Sequence, residues 1–201
     1  MIERWRIHGH AIVSADDRIA AADGRTPPDL RNEADWNRFQ AALDAAAVTV
    51  LGRLGHQANP NARRRNRMVV SSASHGLERR DDGWWWNPAR MPIASALARA
   101  APDGGIVAVV GGRLVFDLFL AIGFDAFHLA RAGRVLIPDG IAVFSAIGGG
   151  RGADRILAGT GLVAGPPTVL DATAAVSVVA WRRGLDRSGD AMESAPPAAG
   201  N

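Results

Sequence analysis

Ile106-Val107-Ala108-Val109-Val110-Gly111-Gly112-Arg113-Leu114-Val115-Phe116-Asp117-Leu118-Phe119-Leu120 decides how this chain folds. An unbroken apolar run rich in β-branched residues reads as a strand buried on both faces. Two glycines end it, and an amphipathic helix pattern starts at once. A strand that passes through glycines into a helix lets backbone approach a phosphate closely. It also leaves the first N–H groups of the helix free to point at that phosphate.

Units of the same kind lie on either side. Trp5–Ser14 alternates well enough for a first strand, and the segment from Asp16 to Asn32, rich in Asp, Pro, Gly and Arg, reads as a long loop. A helix is expected over Ala34–Ala46, with Trp36, Phe39 and Leu43 on one face. Short buried strands follow at Val48–Leu51, running into Gly52-Arg53, and at Met68–Ser72, after the basic loop Arg63-Arg64-Arg65. Pro92–Ala101 reads as a helix, Phe124–Ala130 as a strand and Gly140–Phe144 as a short strand. Leu157–Val163 and Thr168–Arg182 read as a terminal pair of strands around Gly165-Pro166-Pro167. Strands that alternate with helices call for an α/β domain with a mainly parallel central sheet and an antiparallel C-terminal edge. The expected domain covers residues 1–183, and the polar, Pro- and Ala-rich segment 184–201 reads as a disordered tail.

Composition narrows the function classes. The chain has 201 residues, one domain's worth, with no cysteine, which excludes disulfides, thiolate catalysis and cysteine-held metals. All 23 basic residues are arginine against 20 acidic ones, so the pI near 11.0 reflects arginine chemistry acting on a net charge of only +3. Nucleic-acid binding would want a denser basic face with aromatic or motif support, and none is present. No basic segment followed by an apolar one opens the chain, and Arg113 and Asp117 interrupt the apolar run from Ile106. The expectation is a cytoplasmic protein acting on a small molecule, with no nucleic acid or membrane as partner. The oligomeric state stays open, a homodimer included.

Four segments, in this order and spacing, resemble the dihydrofolate reductase family: Ala34-Asp35-Trp36-Asn37-Arg38-Phe39, Gly52-Arg53, Arg65-Asn66-Arg67-Met68-Val69-Val70-Ser71-Ser72, and Val110-Gly111-Gly112 through Phe116. The likeness runs from about Ala11 to Arg182. It implies a three-layer sandwich and NADPH-dependent hydride transfer to a pterin, 7,8-dihydrofolate to tetrahydrofolate, or to a closely related heterocycle. The related reductase domain of riboflavin synthesis, acting on a ribosylated aminopyrimidine, is the alternative, and a non-catalytic NADPH-binding relative is the third.

The resemblance also assigns roles. Asp35 matches the acid that hydrogen-bonds the pterin and helps bring it a proton, as a partly buried carboxylate can. Read on its own, Asp35 is a first-turn acid placed for the helix dipole; the surrounding matches are what favour the functional role. Ile12, Phe39 and Val110 match the substrate pocket, and Arg65 matches the arginine that clamps the substrate's carboxylate, where a planar guanidinium suits the bidentate fork. Read on its own, Arg65 is one member of a solvated basic loop. The cofactor set is Ile19, Gly52, Arg53, Ser72, Gly111, Gly112, Arg113, Leu114, Val115 and Phe116, with Arg53 and Ser72 placed for the 2′-phosphate of NADPH. For the glycines, the plain alternative is turn geometry.

The chain departs from the family in several places. Leu54 follows the Gly-Arg pair where a threonine is usual, and Arg113 replaces a third glycine. Ala130 stands where a threonine usually supports the catalytic acid, and the loop before Asp35 is long. These changes bear on folate more than on the cofactor. Trp84-Trp85-Trp86 reads as a short strand or loop pinned on the core, and Gly148-Gly149-Gly150 as a flexible connection. His8 and His10 share a strand face, but no third metal ligand stands near them in the chain, so they read as ordinary strand histidines.

Overall fold

A computed structural model describes residues 4–184; the expected tail lies outside that range apart from Gly184. The strands are β1 (Trp5–Ser14), β2 (Arg18–Ala20), β3 (Val48–Gly52), β4 (Arg67–Val70), β5 (Leu77–Arg80), β6 (Gly83–Trp86), β7 (Gly105–Val109), β8 (Ala126–Ala132), β9 (Ile141–Ala142), β10 (Leu162–Ala164), β11 (Thr168–Asp171) and β12 (Val176–Arg183). The helices are α1 (Glu33–Asp44), α2 (Arg53–Ala58), α3 (Ile93–Ala100), α4 (Arg113–Ile122) and α5 (Ala153–Gly159). The main sheet runs β10-β12-β8-β1-β7-β3-β4-β6-β5, with β11 paired to β12.

Every neighbouring pair from β8 through β1, β7, β3 and β4 to β6 is parallel. The C-terminal strands add the expected antiparallel edge. A second antiparallel edge, the β5–β6 hairpin, closes the opposite side. It is built around the tryptophan run: Arg79 and Arg80 lie over the rings of Trp84 and Trp85 at 5.2 and 4.2 Å, covering apolar faces that an edge strand would leave wet.

The two sheet faces are packed unequally. On one, Ile7, Val13, Val50, Met68, Val107, Val109 and Phe127 meet Leu97 of α3, Phe116 and Phe119 of α4, and Leu157 of α5 in a single core. In α3 the buried residues Ile93, Ala96, Leu97 and Ala100 follow the spacing of one helical face, which is why that segment is a helix. The other face carries smaller clusters, Leu51, Val69 and Trp85 in one and Leu30, Ala132, Ile137 and Val176 in the other.

Helix α1 starts cleanly. The Asn32 side chain accepts a hydrogen bond from the Asp35 N–H at 3.1 Å, and Glu33 and Asp35 place negative charge in the first turn. Its inward stripe is Asp35, Phe39 and Leu43. Trp36, expected on that face, points outward and is 55% exposed, because it sits about 100° round the helix from Asp35.

Three further expectations are corrected. The loop after β1 contains β2, which pairs with β9, and a short 3₁₀ turn at Pro28–Leu30 that buries Leu30. Of the expected strand Leu157–Val163, only Leu162 and Val163 are strand, in β10; Leu157–Gly159 belong to α5, whose start is fixed by a buried carboxylate from a distant loop. Asp17 accepts from the Ala153 N–H at 2.9 Å and pairs with Arg131. Helix α2, unforeseen after Gly52, lays His56 edge-on against Trp85 at 5.8 Å.

Candidate active site

The C-terminal ends of parallel strands are where open α/β sheets bind ligands. Neighbouring strands β3 and β7 end together here, and the Gly52 N–H donates to the Gly111 carbonyl at 3.0 Å. Gly111 has φ +113°, a conformation that disfavours any side chain. Gly112 caps α4, and a side chain there would meet nothing within 4 Å, so the backbone is open to a ligand. No side chain caps this helix; Val115 and Phe116 donate back to the Gly112 carbonyl. The N–H groups of Arg113 and Leu114 are left at the mouth.

Arg53, Arg113 and Leu114 are exposed around that mouth. Neither arginine has a carboxylate within 4 Å among the described residues. Ser72 is exposed in the turn after β4, and its carbonyl accepts from Asn87 at 3.0 Å. Val115 and Phe116 face inward: Val115 packs near Gly52, and Phe116 is 1% exposed among Phe127 and Phe144. Ile19, on β2, is half-buried against the main core.

Asp35 is buried, with 6% exposure. Burial pushes its carboxyl above the ordinary aspartate range, opposed by a hydrogen bond from Arg38 at 3.0 Å to one oxygen, Oδ1. Phe39, one turn on, stands 6.4 Å from the His10 ring and 5.8 Å from Trp36. Ile12 on β1 packs beside the Leu30 cluster, and Val110, just past β7, beside Leu51, Val69 and Trp85.

Arg65 lies apart from this group. Its guanidinium donates to Asp44 at 2.8 and 2.6 Å and to the Gln40 side chain at 2.8 Å. The fork expected for a substrate carboxylate holds a carboxylate of the protein's own helix α1.

Two groups near Asp35 carry no signal of their role in the sequence. Arg38 reads there as a helix-surface charge, yet it is the partner of the buried acid. His128 is far along the chain, but parallel pairing of β1 with β8 sets it directly beside His10. The two rings stack at 4.7 Å with 8° between their planes, and His8 stands 5.8 Å from His128. Burial, aided by neighbouring His128 and Arg38, pushes His10 down to about 3; burial and Arg38 push His128 down to about 4. These rings are neutral imidazoles at neutral pH.

No protein-family model matches the sequence, and no curated protein matches it either. Solved structures do match. Dihydrofolate reductase from Enterococcus faecalis, complexed with NADP(H) and RAB-propyl, superimposes with TM-score 0.62 at 17% identity, over 89% of this chain and 96% of that one. A diaminohydroxyphosphoribosylaminopyrimidine deaminase/5-amino-6-(5-phosphoribosylamino)uracil reductase from Thermotoga maritima does so with TM-score 0.64 at 13% identity. That match covers 90% of this chain and 57% of the longer protein, little over half its length. The chain has the dihydrofolate reductase fold, with its mainly parallel sheet and antiparallel edges.

Proposed function

We propose that this protein is an NADPH-dependent reductase of a pterin or closely related heterocycle, with dihydrofolate the leading substrate. The observation that carries the reading is the buried Asp35 at the start of α1, a carboxylate taken out of water with only one oxygen committed to Arg38. Burial that pushes its carboxyl above the ordinary range marks Asp35 as the candidate functional acid.

The cofactor cradle fits its group. Gly112 offers open backbone, the Arg113 and Leu114 N–H groups stand at an uncapped helix start, and Arg53 is exposed without an acidic neighbour. The two N–H groups would hold the pyrophosphate, and Arg53 with Ser72 the 2′-phosphate. NADPH, when bound, supplies the hydride. Asp35 would accept hydrogen bonds from the heterocycle's amino group and ring N–H through its free oxygen. That contact fixes the ring and helps bring a proton to the nitrogen beside the hydride acceptor. Phe39, one turn along α1 from Asp35, would line the ring's pocket.

Following NADPH oxidation with dihydrofolate and, in parallel, with the ribosylated aminopyrimidine tests the reading. Turnover of dihydrofolate supports it. Tight NADPH binding with neither substrate consumed would replace it with a non-catalytic nucleotide-binding role.

Cofactor preference follows from Arg53. Charge-assisted contacts contribute on the order of 1.5–3 kcal/mol, so NADPH should bind more than about tenfold more tightly than NADH. Arg53→Ala should erase most of that gap in a fluorescence titration. Equal affinities in the unaltered protein would remove Arg53 from the site.

The Arg65 pairing favours the second reading, a substrate without the glutamate tail of folate. Asp44 is half-exposed and an exposed ion pair is weak in water, so a folate carboxylate would have to displace it at modest cost. If folate is the substrate, Asp44→Asn should lower KM for dihydrofolate by freeing the fork, and Arg65→Ala should raise KM with little change in kcat. If neither variant moves KM, the fork is structural and the aminopyrimidine reading leads.

A further inference from the structure

We propose that His8, His10 and His128 form a binding site for a late first-row divalent transition metal, of which Zn²⁺ is the probe. The ring nitrogens that would ligate all lie within 4.8 Å of one another. Strand alternation puts His8 and His10 on one face of β1, and the β1–β8 register puts His128 beside them. Three imidazoles therefore converge from two rigid central strands rather than from loops.

The second observation is chemical. Nδ1 of His10 is fully buried in a residue only 4% exposed, and it has no hydrogen-bond partner. A buried imidazole nitrogen left unpaired costs stability unless something fills it. A polar network for the ring would have been the simple solution, and none is built. A metal ion held by the cluster would account for three imidazoles gathered on one sheet face.

Geometry allows the step. In a tetrahedral zinc site with Zn–N near 2.0–2.1 Å, ligating nitrogens are about 3.3 Å apart. Closing from the present spacing requires at least one of the stacked His10 and His128 rings to turn out of its parallel plane, so that both in-plane lone pairs point at one ion. Three protein ligands with a remaining position open is the arrangement of reactive rather than structural zinc sites. His8 and His128 line a cleft of about 450 Å³, together with Arg6, Asp125, Arg182 and Arg183. An all-imidazole donor set, with no thiolate available anywhere in the chain, suits Zn²⁺, Cu²⁺, Ni²⁺ or Co²⁺ rather than Mg²⁺ or Ca²⁺.

Four arginines oppose a cation here: Arg38, and Arg6, Arg182 and Arg183, which are exposed on the cleft. Arg38 is held by Asp35, and water screens the exposed three. Asp125 on the same cleft offsets Arg6 and Arg183, each 4.0 Å from its Oδ1, and its Oδ2 accepts from the Ile7 N–H.

Titrating the untagged full chain with Co²⁺ and Zn²⁺ tests the site. One equivalent of Co²⁺ should give the intense visible absorption of a low-coordinate nitrogen site, displaced by Zn²⁺. Zn²⁺ should also raise the melting temperature. The half-exposed ligands allow variants that keep the fold: His8→Gln and His128→Gln should each weaken binding by at least about tenfold. The other two histidines are the control, and the double variant His56→Gln/His75→Gln should bind as the unaltered protein does. A cobalt spectrum that stays that of the hydrated ion overturns the proposal. So does unchanged affinity in the His8 and His128 variants, or loss of binding in the control.

Discussion

Asp35→Asn should lower turnover by roughly the 10²–10⁴-fold that positioned acid–base groups supply, while NADPH affinity stays unchanged. The amide keeps the shape of the side chain but replaces one acceptor oxygen with an NH2 donor and carries no negative charge toward the heterocycle's protonated form. The deficit should shrink at low pH, where solvent protonates the substrate in advance. Arg38 gives an independent handle. Its hydrogen bond favours the ionised carboxylate, against burial, which favours the neutral acid. Arg38→Gln should therefore move the acid's apparent pKa upward in the pH–rate profile and leave the maximum largely intact.

Stability separates chemistry from folding. A carboxyl raised by folding costs stability once ionised, and that cost eases as pH falls below its folded pKa and is gone below the unfolded value. Asp35→Asn removes it, so a large drop in melting temperature at neutral pH is not expected from the acid itself. Normal turnover in Asp35→Asn would leave Asp35 as a helix-start acid and hand the lead to the aminopyrimidine or non-catalytic reading.

Gly9→Ala should be the most damaging single methyl in the described sheet. A Cβ at Gly9 would stand 2.2 and 2.4 Å from ring carbons of Phe127 and 3.0 Å from Phe124. Phe127 is fully buried and cannot retreat, because Phe116, Phe124 and Phe144 surround its ring at 5.1–5.5 Å. Overpacking of this kind costs about 1–3 kcal/mol or more. For a domain of this size each kcal/mol shifts the melting temperature by roughly 2–4 °C, so a loss near 5–10 °C is expected by calorimetry. Phe127→Leu added to Gly9→Ala should recover part of it, since the two sites share one volume. An unchanged melting temperature would mean that β1 can shift off β8, which would also loosen the His8–His10–His128 cluster that flanks Gly9.

The order of strands and helices was legible in local pattern. Trp5–Ser14 alternates well enough to be read as a strand and forms β1 over those same residues. The apolar run into Gly111-Gly112 forms β7 and then α4, because a period-two or fully buried run and a 3.6-residue period are properties of neighbouring residues. The parallel sheet follows from alternating units, since parallel neighbours need a crossover between them. The order in which Asp35, Gly52-Arg53 and Gly111-Gly112 occur was also legible, and it pointed to this fold.

What the chain does with its charged groups was decided only by tertiary contacts. The start of α5 depends on Asp17, far upstream, and reads as strand without it. The fork of Arg65 is met by Asp44, twenty-one residues away, on a helix whose rotation no local pattern specifies. The partner of Asp35 is one turn along its own helix, yet burial of that pair depends on what the helix packs against. The third histidine of the cluster is set by strand register, and register is a property of two strands rather than one. A slip of one residue would turn His128 to the opposite face, so only the paired sheet brings the three imidazoles together.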